Sequence, residues 1–329
     1  MKKAADAVNS VFANLVSNRP VGKAGTNPRS EMVNALEKSM SALKNAKLEI
    51  LTPTIGARID GVDLSEPLDD SDIAAIRRLF LAHRVIFFED QNLSPQQHRD
   101  FAARFGTFEL HPFYQAHPEH PELVVLDTGA HSPTDNDHWH TDMTYSREPP
   151  MAGILYSRLL PPHGGDTLWA DMYAAYLALS GSLRALLDPL DAVHDLAKAF
   201  PAQHRAVQTS GSDKYEEKMG ANPPVLHPVV RTHPETGEDC LFVNEGFATA
   251  IQGLAKKESD DLLEFLFYHV HRPEFSVRWR WKPNTVAMWD NRCTQHYAVN
   301  DYLPHRRVMH RATLKGSRPF NRSRPDPAN

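Results

Sequence analysis

Three candidate metal ligands on two distant segments constrain this chain more than anything else in it. His140 and Asp142 stand one residue apart in Asn136-Asp137-His138-Trp139-His140-Thr141-Asp142, and His296 closes the segment Trp289-Asp290-Asn291-Arg292-Cys293-Thr294-Gln295-His296. Residues i and i+2 share a face on an extended strand, so both can reach one ion. On a helix they lie about 200° apart and cannot. The fold must therefore hold residues 140–142 at a strand edge and bring a remote loop beside it. Two imidazoles and one carboxylate fill one face of an octahedron and leave the opposite face open. That donor set marks non-haem Fe(II) sites that bind a cosubstrate and dioxygen together.

The pattern His-x-Asp/Glu is weak evidence by itself, because the chain has 18 histidines. It recurs at His98, His117, His120 and His233. His98-Arg99-Asp100 falls in a helix expected to begin at Ser94-Pro95, with the proline at its first position. His117, His120 and His233 each begin a His-Pro-Glu triplet, which reads as loop or turn. His140 is flanked by Trp139 and by Met143-Thr144-Tyr145, residues suited to a strand edge. His138 is expected near the ligands or at the surface rather than among them. His296 is expected in a loop reached from a strand over Thr285 to Trp289. A closed structural zinc site is a rival reading, but it would need a fourth protein donor.

Around this site the chain reads as many short strands with helices outside them. Apolar runs at Val85-Ile86-Phe87-Phe88, Val124-Val125-Leu126, Ile154-Leu155-Tyr156, Pro228-Val229-Val230 and Leu241-Phe242-Val243 are separated by turn residues. Val277, Trp279 and Trp281 alternate with Arg278, Arg280 and Lys282, as on a strand with one apolar and one polar face. Arg306 to Leu314 reads as a last core strand. Helices are expected after a cap at Asp70 or Ser71, with Ile73, Ile76, Leu79 and Phe80 on one face. Two more are expected over Met172 to Leu187 and over Lys257 to His269. The pattern implies a mainly β domain with flanking helices, a double-stranded β-helix of the jelly-roll, cupin-like kind, over residues 48–320. Residues 1–47 read as a mobile or oligomer-forming arm with a short apolar stripe at Val8, Phe12, Leu15 and Val16. Residues 321–329 read as a tail.

Composition excludes several classes. A net charge of -5 offers no nucleic-acid surface. No apolar run reaches the length of a membrane span. The two cysteines, Cys240 and Cys293, are far apart in sequence, which argues against a disulfide and for a cytoplasmic setting.

Residues 306–313 add a second kind of chemistry. On a strand, Arg307, Met309 and Arg311 share one face. Two guanidinium groups pointing into a jelly-roll interior would be costly unless each met an anion. Planar guanidinium matches a carboxylate or sulfonate through paired hydrogen bonds. Thr167, in Gly164-Gly165-Asp166-Thr167-Leu168-Trp169, offers a hydroxyl to one such anion.

These segments, with His111-Pro112-Phe113-Tyr114, residues 222–234, Leu241–Phe247 and residues 289–313, resemble the 2-oxoglutarate-dependent taurine dioxygenase family. The resemblance runs from about Leu48 to Phe320. It implies His140, Asp142 and His296 as Fe(II) ligands, with no catalytic residue beyond the metal centre. It implies Arg307 and Thr167 as the grip on 2-oxoglutarate, with dioxygen as the other cosubstrate. It implies His111, Tyr114, Asn136, Phe200, Phe247 and Arg311 around a small sulfonate. The expected reaction hydroxylates taurine at the carbon bearing the sulfonate and releases sulfite, aminoacetaldehyde, succinate and CO2. Another alkyl sulfonate, an alkyl sulfate or an aryloxyalkanoate is the alternative substrate, and a non-catalytic ligand-binding jelly roll is a distant one. A lid is expected over Ala202 to Lys218. A homo-oligomer, dimer or tetramer, is expected, with no nucleic-acid or membrane partner.

Overall fold

The computed structural model describes residues 39–111, 114–131, 136–201 and 212–324. Its larger sheet has seven strands, in the order Lys47–Ile50, Ala57–Asp60, Val85–Phe88, Val286–Asp290, Ala152–Leu159, Arg307–Leu314 and Leu123–Thr128. Only Ala57–Asp60 and Val85–Phe88 run parallel; the other neighbours are antiparallel. The strands Ser276–Trp279, Thr167–Asp171 and Thr294–Ala298 make a smaller sheet.

Period-two alternation explains how one sheet serves two cores. Ile86 and Phe88 join Val286 and Met288 under the helices Asp70–His83 and Pro95–Ala103. Val85, Phe87, Ala287 and Trp289 point the other way, into the space between the sheets, where they meet Trp169, Val277, Trp279 and Trp281. Phe87 stacks on Trp279 with centroids 3.9 Å apart and planes at 8°. It meets Trp169 edge-on at 5.4 Å. Trp289 fits because residue 153 is glycine: a Cβ there would lie 2.2 Å from the indole. Two sheets packed on an aromatic core, with helices outside, form the expected jelly roll.

Several element boundaries differ from the sequence reading, each for a local reason. The first helix is capped by Asp69 rather than Asp70 or Ser71, in a capping box with Asp72. The second follows Ser94 and Pro95 as expected. The single helix expected over Met172 to Leu187 is two, Met172–Leu177 and Gly181–Leu187, because Ser180 accepts from the Leu183 N–H and starts a new helix. The run at 228–230 breaks at Val229 between two strands with different partners. In the helix Lys256–Val270, Leu263 and Leu266 are buried, whereas Phe265 points outward and is 47% exposed. Trp281 lies past the end of its strand but is still buried. Of the arm expected over residues 1–47, Met1–Lys38 with its apolar stripe lies outside the described residues. Leu43 packs into the core beside the first helix, and Arg78 donates to Ser39 Oγ at 2.7 Å. No helix among the described residues is long and apolar enough to cross a membrane. Cys240 and Cys293 are both buried and free.

Buried histidines are expected to make this fold acid-sensitive. Burial lowers His83 and His227 to about 4 and His98 to about 3, and holds His194 well below the ordinary value of 6.5. Their folded values lie below the unfolded one, so their contribution to stability is whole above pH 6.5 and is lost as pH falls towards 4. Each group contributes up to about 1.4 kcal/mol per pH unit in that window. The metal-free protein is therefore expected to lose several kcal/mol, on the order of one per group per pH unit, between pH 6.5 and 4.5. Circular-dichroism melts across that range test this; a flat profile would mean that the imidazoles protonate in place.

Candidate active site

His140 and His296 are brought together by one antiparallel bridge. The His140 N–H donates to the His296 carbonyl at 3.0 Å, and the reverse bond is 2.8 Å. This corrects the sequence reading twice. His140 lies on a single bridge rather than a regular strand edge, because the chain turns at once through Met143, whose φ is 52°. His296 lies within the strand Thr294–Ala298, opposite Trp169, and not in a loop. His140 Nε2 is 3.8 Å and His296 Nε2 is 3.9 Å from Asp142 Oδ1. One donor atom from each of the three residues lies within 4.8 Å of the others.

The surroundings fix these donors. His140 Nδ1 bonds the His138 carbonyl at 2.9 Å, which turns Nε2 towards the centre. His138 itself stays outside the donor set, its ring 4.9 Å from that of His140. Gly246 leaves room for both residues: a Cβ there would lie 3.0 Å from His138 Nε2 and 3.0 Å from His140 Cβ. Trp289 packs against the His296 ring at 5.0 Å. Asn291 clamps the Asp142 backbone: its Oδ1 accepts from the Asp142 N–H at 2.9 Å and its Nδ2 donates to the Asp142 carbonyl at 3.0 Å. His227 and Asn244 tie the turn that follows, through the Thr144 carbonyl and the Thr144 hydroxyl. Asn291 and Gly246 sit inside recognised segments, but nothing in their spacing marked them as supports.

Electrostatics keep the donors in ligating form. Burial, reinforced by the paired imidazole, lowers His140 to about 4 despite the pull of Asp142. Burial likewise lowers His296 to about 4. Burial would raise the Asp142 carboxyl, but Arg311 and the two imidazoles outweigh it and hold it at about 2. Arg311 Nη1 lies 3.1 Å from each carboxylate oxygen.

The second cluster, His233, Asp290 and Cys293, is of a different kind. His233 bonds Asp290 at 3.0 Å, and Arg292 occupies both Asp290 oxygens at 2.8 and 2.7 Å. An ion would have to displace that guanidinium. His233, read as a turn residue, is a buried structural histidine at the start of a turn.

Arg307, Met309 and Arg311 share the inward face of their strand, as alternation requires, and all are buried. Arg307 runs past Gly165, where a Cβ would lie 3.1 Å from its Cδ, and its guanidinium sits 5.9 Å from the Trp281 ring. Gly165 takes a φ of +71° and donates to Asp301 Oδ1 at 2.8 Å, which is the work of the Gly-Gly turn. Thr167 accepts from Trp281 Nε1 at 2.9 Å, so its own O–H remains a donor. Burial lowers Arg307 to about 10, and its Nε has no hydrogen-bond partner among the described residues.

The residues expected around a substrate also converge. His111 stacks on Tyr114 at 4.2 Å, and both meet Phe200 at 6.0 and 6.1 Å. Tyr114 donates to Asn136 Oδ1 at 3.3 Å, and Arg311 stands 5.9 Å from the Tyr114 ring. Phe200 and Phe247 belong to one apolar cluster with Met143, Tyr145 and Leu196. Of the expected lid, residues 202–211 lie outside the described residues; the helix Ser212–Ala221 adds Tyr215 and Met219 to this cluster.

Residues 47–313 match the family described as Taurine catabolism dioxygenase TauD, TfdA family. The chain belongs to this family. It is 41% identical over 277 residues to an alpha-ketoglutarate-dependent sulfate ester dioxygenase of Pseudomonas putida, covering 80% of this chain and 88% of that protein. It is 36% identical over 272 residues to an alkylsulfatase of Acinetobacter baylyi, covering 82% and 85%. Among solved structures, a taurine dioxygenase from Burkholderia xenovorans superposes with a TM-score of 0.72 at 38% identity, covering 84% and 93%. This TauD/TfdA member is an Fe(II)- and 2-oxoglutarate-dependent dioxygenase. The residues present fit those groups. The donor set is two imidazoles and a carboxylate, and the buried Arg307 cation lacks a carboxylate partner among the described residues.

Proposed function

We propose that this dioxygenase oxidises a small organic sulfo anion, an alkyl sulfate ester or alkyl sulfonate, at the carbon next to the sulfo group. His140, Asp142 and His296 hold the iron. Arg307 and the Thr167 hydroxyl hold the far carboxylate of 2-oxoglutarate and so fix its orientation before reaction. Arg311 and His111 hold the sulfo group, and Phe200 and Phe247 exclude water around the carbon chain. When bound, the iron centre couples dioxygen reduction and 2-oxoglutarate decarboxylation to substrate hydroxylation. The hydroxylated product of a sulfate ester then collapses to an aldehyde and sulfate, and that of a sulfonate to an aldehyde and sulfite.

The observation that supports this reading best is a buried Arg311 that touches the Asp142 carboxylate and stands 5.9 Å from the ring of Tyr114, which packs on the apolar cluster of Phe200 and Phe247. A fixed cation beside an apolar wall suits an anion with a carbon tail. The sulfate ester dioxygenase and alkylsulfatase relatives agree with an alkyl sulfate. Taurine is the second reading; the polar Tyr114–Asn136 pair favours it, as a place for an amino group. A panel of alkyl sulfates, alkanesulfonates, taurine and aryloxyalkanoates, scored by sulfate and sulfite release, separates them.

Arg311→Ala is expected to raise the substrate KM roughly 100-fold through loss of a charge-assisted pair, with much less effect on the 2-oxoglutarate KM. Arg311→Lys keeps the charge without the planar fork and should recover little. Equal damage to both KM values would refute this division of roles, and failure to release sulfur from any member of the panel would refute the substrate class.

A further inference from the structure

Tyr145 carries a buried hydroxyl that none of the described residues uses. The residue is 1% exposed, and its Oη has no hydrogen-bond partner among the described residues. Its ring packs on Phe247 with centroids 5.3 Å apart, in the same cluster as Met143, Leu196 and Phe200. For packing alone, phenylalanine would serve this position better, since a buried O–H that donates to nothing destabilises the fold. Such a group is retained in a pocket when a ligand completes it. Tyr145 stands three residues after Asp142, at the end of the turn that Asn291, His227 and Asn244 hold. Its hydroxyl feels both Asp142 and Arg311, the two charges that flank the substrate space. Burial, followed by the Asp142 and Glu109 carboxylates, pushes the phenol pKa up, so it keeps its proton and remains a donor.

The chemistry of the anion decides what this donor can select. A sulfo group has three terminal oxygens and a carboxylate has two. One guanidinium fork satisfies two oxygens. The third needs a donor from another direction. We propose that Tyr145 gives its hydroxyl hydrogen to the third oxygen of the substrate's sulfo group, next to Arg311, and thereby selects sulfo anions over carboxylates. This rests on the sulfo-anion reading above. His111 lies on the Tyr114 side of the cluster and Tyr145 on the Phe247 side, so the two donors meet the sulfo group from different directions.

The test is binding, measured by calorimetry under argon on protein loaded with Fe(II) and 2-oxoglutarate, using hexyl sulfate and hexanoate. Wild type is expected to prefer hexyl sulfate. Tyr145→Phe is expected to weaken hexyl sulfate about tenfold, the usual effect of losing one hydrogen bond to a charged group, and to leave hexanoate within about twofold. Its 2-oxoglutarate affinity should not change, and its melting temperature should match or exceed that of wild type. Equal losses for the two anions, or no loss for hexyl sulfate, would overturn the role of Tyr145 while leaving the sulfo-anion reading intact. A variant that melts well below wild type would show that the hydroxyl serves the fold, and overturns it equally. A wild type that binds hexanoate as tightly as hexyl sulfate, and releases neither sulfate nor sulfite from the panel, takes down both readings.

Discussion

Asp142→Ala is expected to abolish iron retention and turnover, and also to destabilise the metal-free protein, whereas His296→Ala is expected to do only the first. The difference lies in charge. Asp142 is buried, and both its oxygens lie 3.1 Å from Arg311 Nη1. Removing the carboxylate leaves a buried guanidinium without its counter-ion, a change that costs on the order of 3–5 kcal/mol. For a chain of this size that corresponds to a melting-temperature loss of roughly 5–10 °C. His296 is neutral in the metal-free fold, its imidazole lowered to about 4 by burial. Its removal opens space beside Trp289 but strands no charge. Metal analysis after gel filtration and melts in the presence of a chelator measure both effects. Iron retained at wild-type level by either variant would remove that residue from the ligand set. Equal melting losses for the two would mean that the Asp142–Arg311 pair is not what separates them.

The parts of this site that could be read from sequence are those fixed by short-range periodicity. Arg307, Met309 and Arg311 had to share a face once 306–314 was read as a strand, and they do. The two faces of Val85–Phe88 and the cap at Ser94 are local properties as well. Long-range partners decided the rest. His296 looked like a loop residue because its own segment has little strand character; pairing with Thr167–Asp171 makes it a strand. The strand-edge geometry imagined for residues 140–142 is one bridge and a turn, held by side chains from residues 227, 244 and 291. A residue such as Asn291 acts through its amide on a backbone 149 positions away, and no spacing rule reaches that far. The turn expected at His233 is there, but a Pro-bearing turn motif carries no information about burial or about the bond His233 makes to a fully buried aspartate.

Arg307→Met is expected to weaken 2-oxoglutarate binding by roughly 100- to 1000-fold while leaving the ligand-free protein as stable as wild type or more so. The two halves of this expectation have one cause. Arg307 is 7% exposed, its Nε lacks a hydrogen-bond partner among the described residues, and burial lowers its pKa to about 10. The nearest aromatic face, Trp281, is 5.9 Å away and offers only a weak cation–π contact. In the ligand-free fold the guanidinium has no paired carboxylate among the described residues and is helped only from a distance by Asp166 and Tyr302, which do not outweigh burial, and a methionine removes that penalty. In the proposed role, bound 2-oxoglutarate would give the same charge a carboxylate in low dielectric, and the variant would instead bury an unpaired anion. Arg307→Lys should fall between, since it restores charge but not the fork. Ligand-induced stabilisation reads this directly. Wild type with 2-oxoglutarate at 100 times its Kd gains about 2.7 kcal/mol, and the methionine variant at that concentration should gain almost nothing. Anaerobic titration of 2-oxoglutarate into the Fe(II) protein gives the affinities, and thermal melts give the stabilities. A methionine variant that melts well below wild type in the absence of ligand would show that the fold itself neutralises Arg307, and the case for a cosubstrate carboxylate at this position would lose its physical basis.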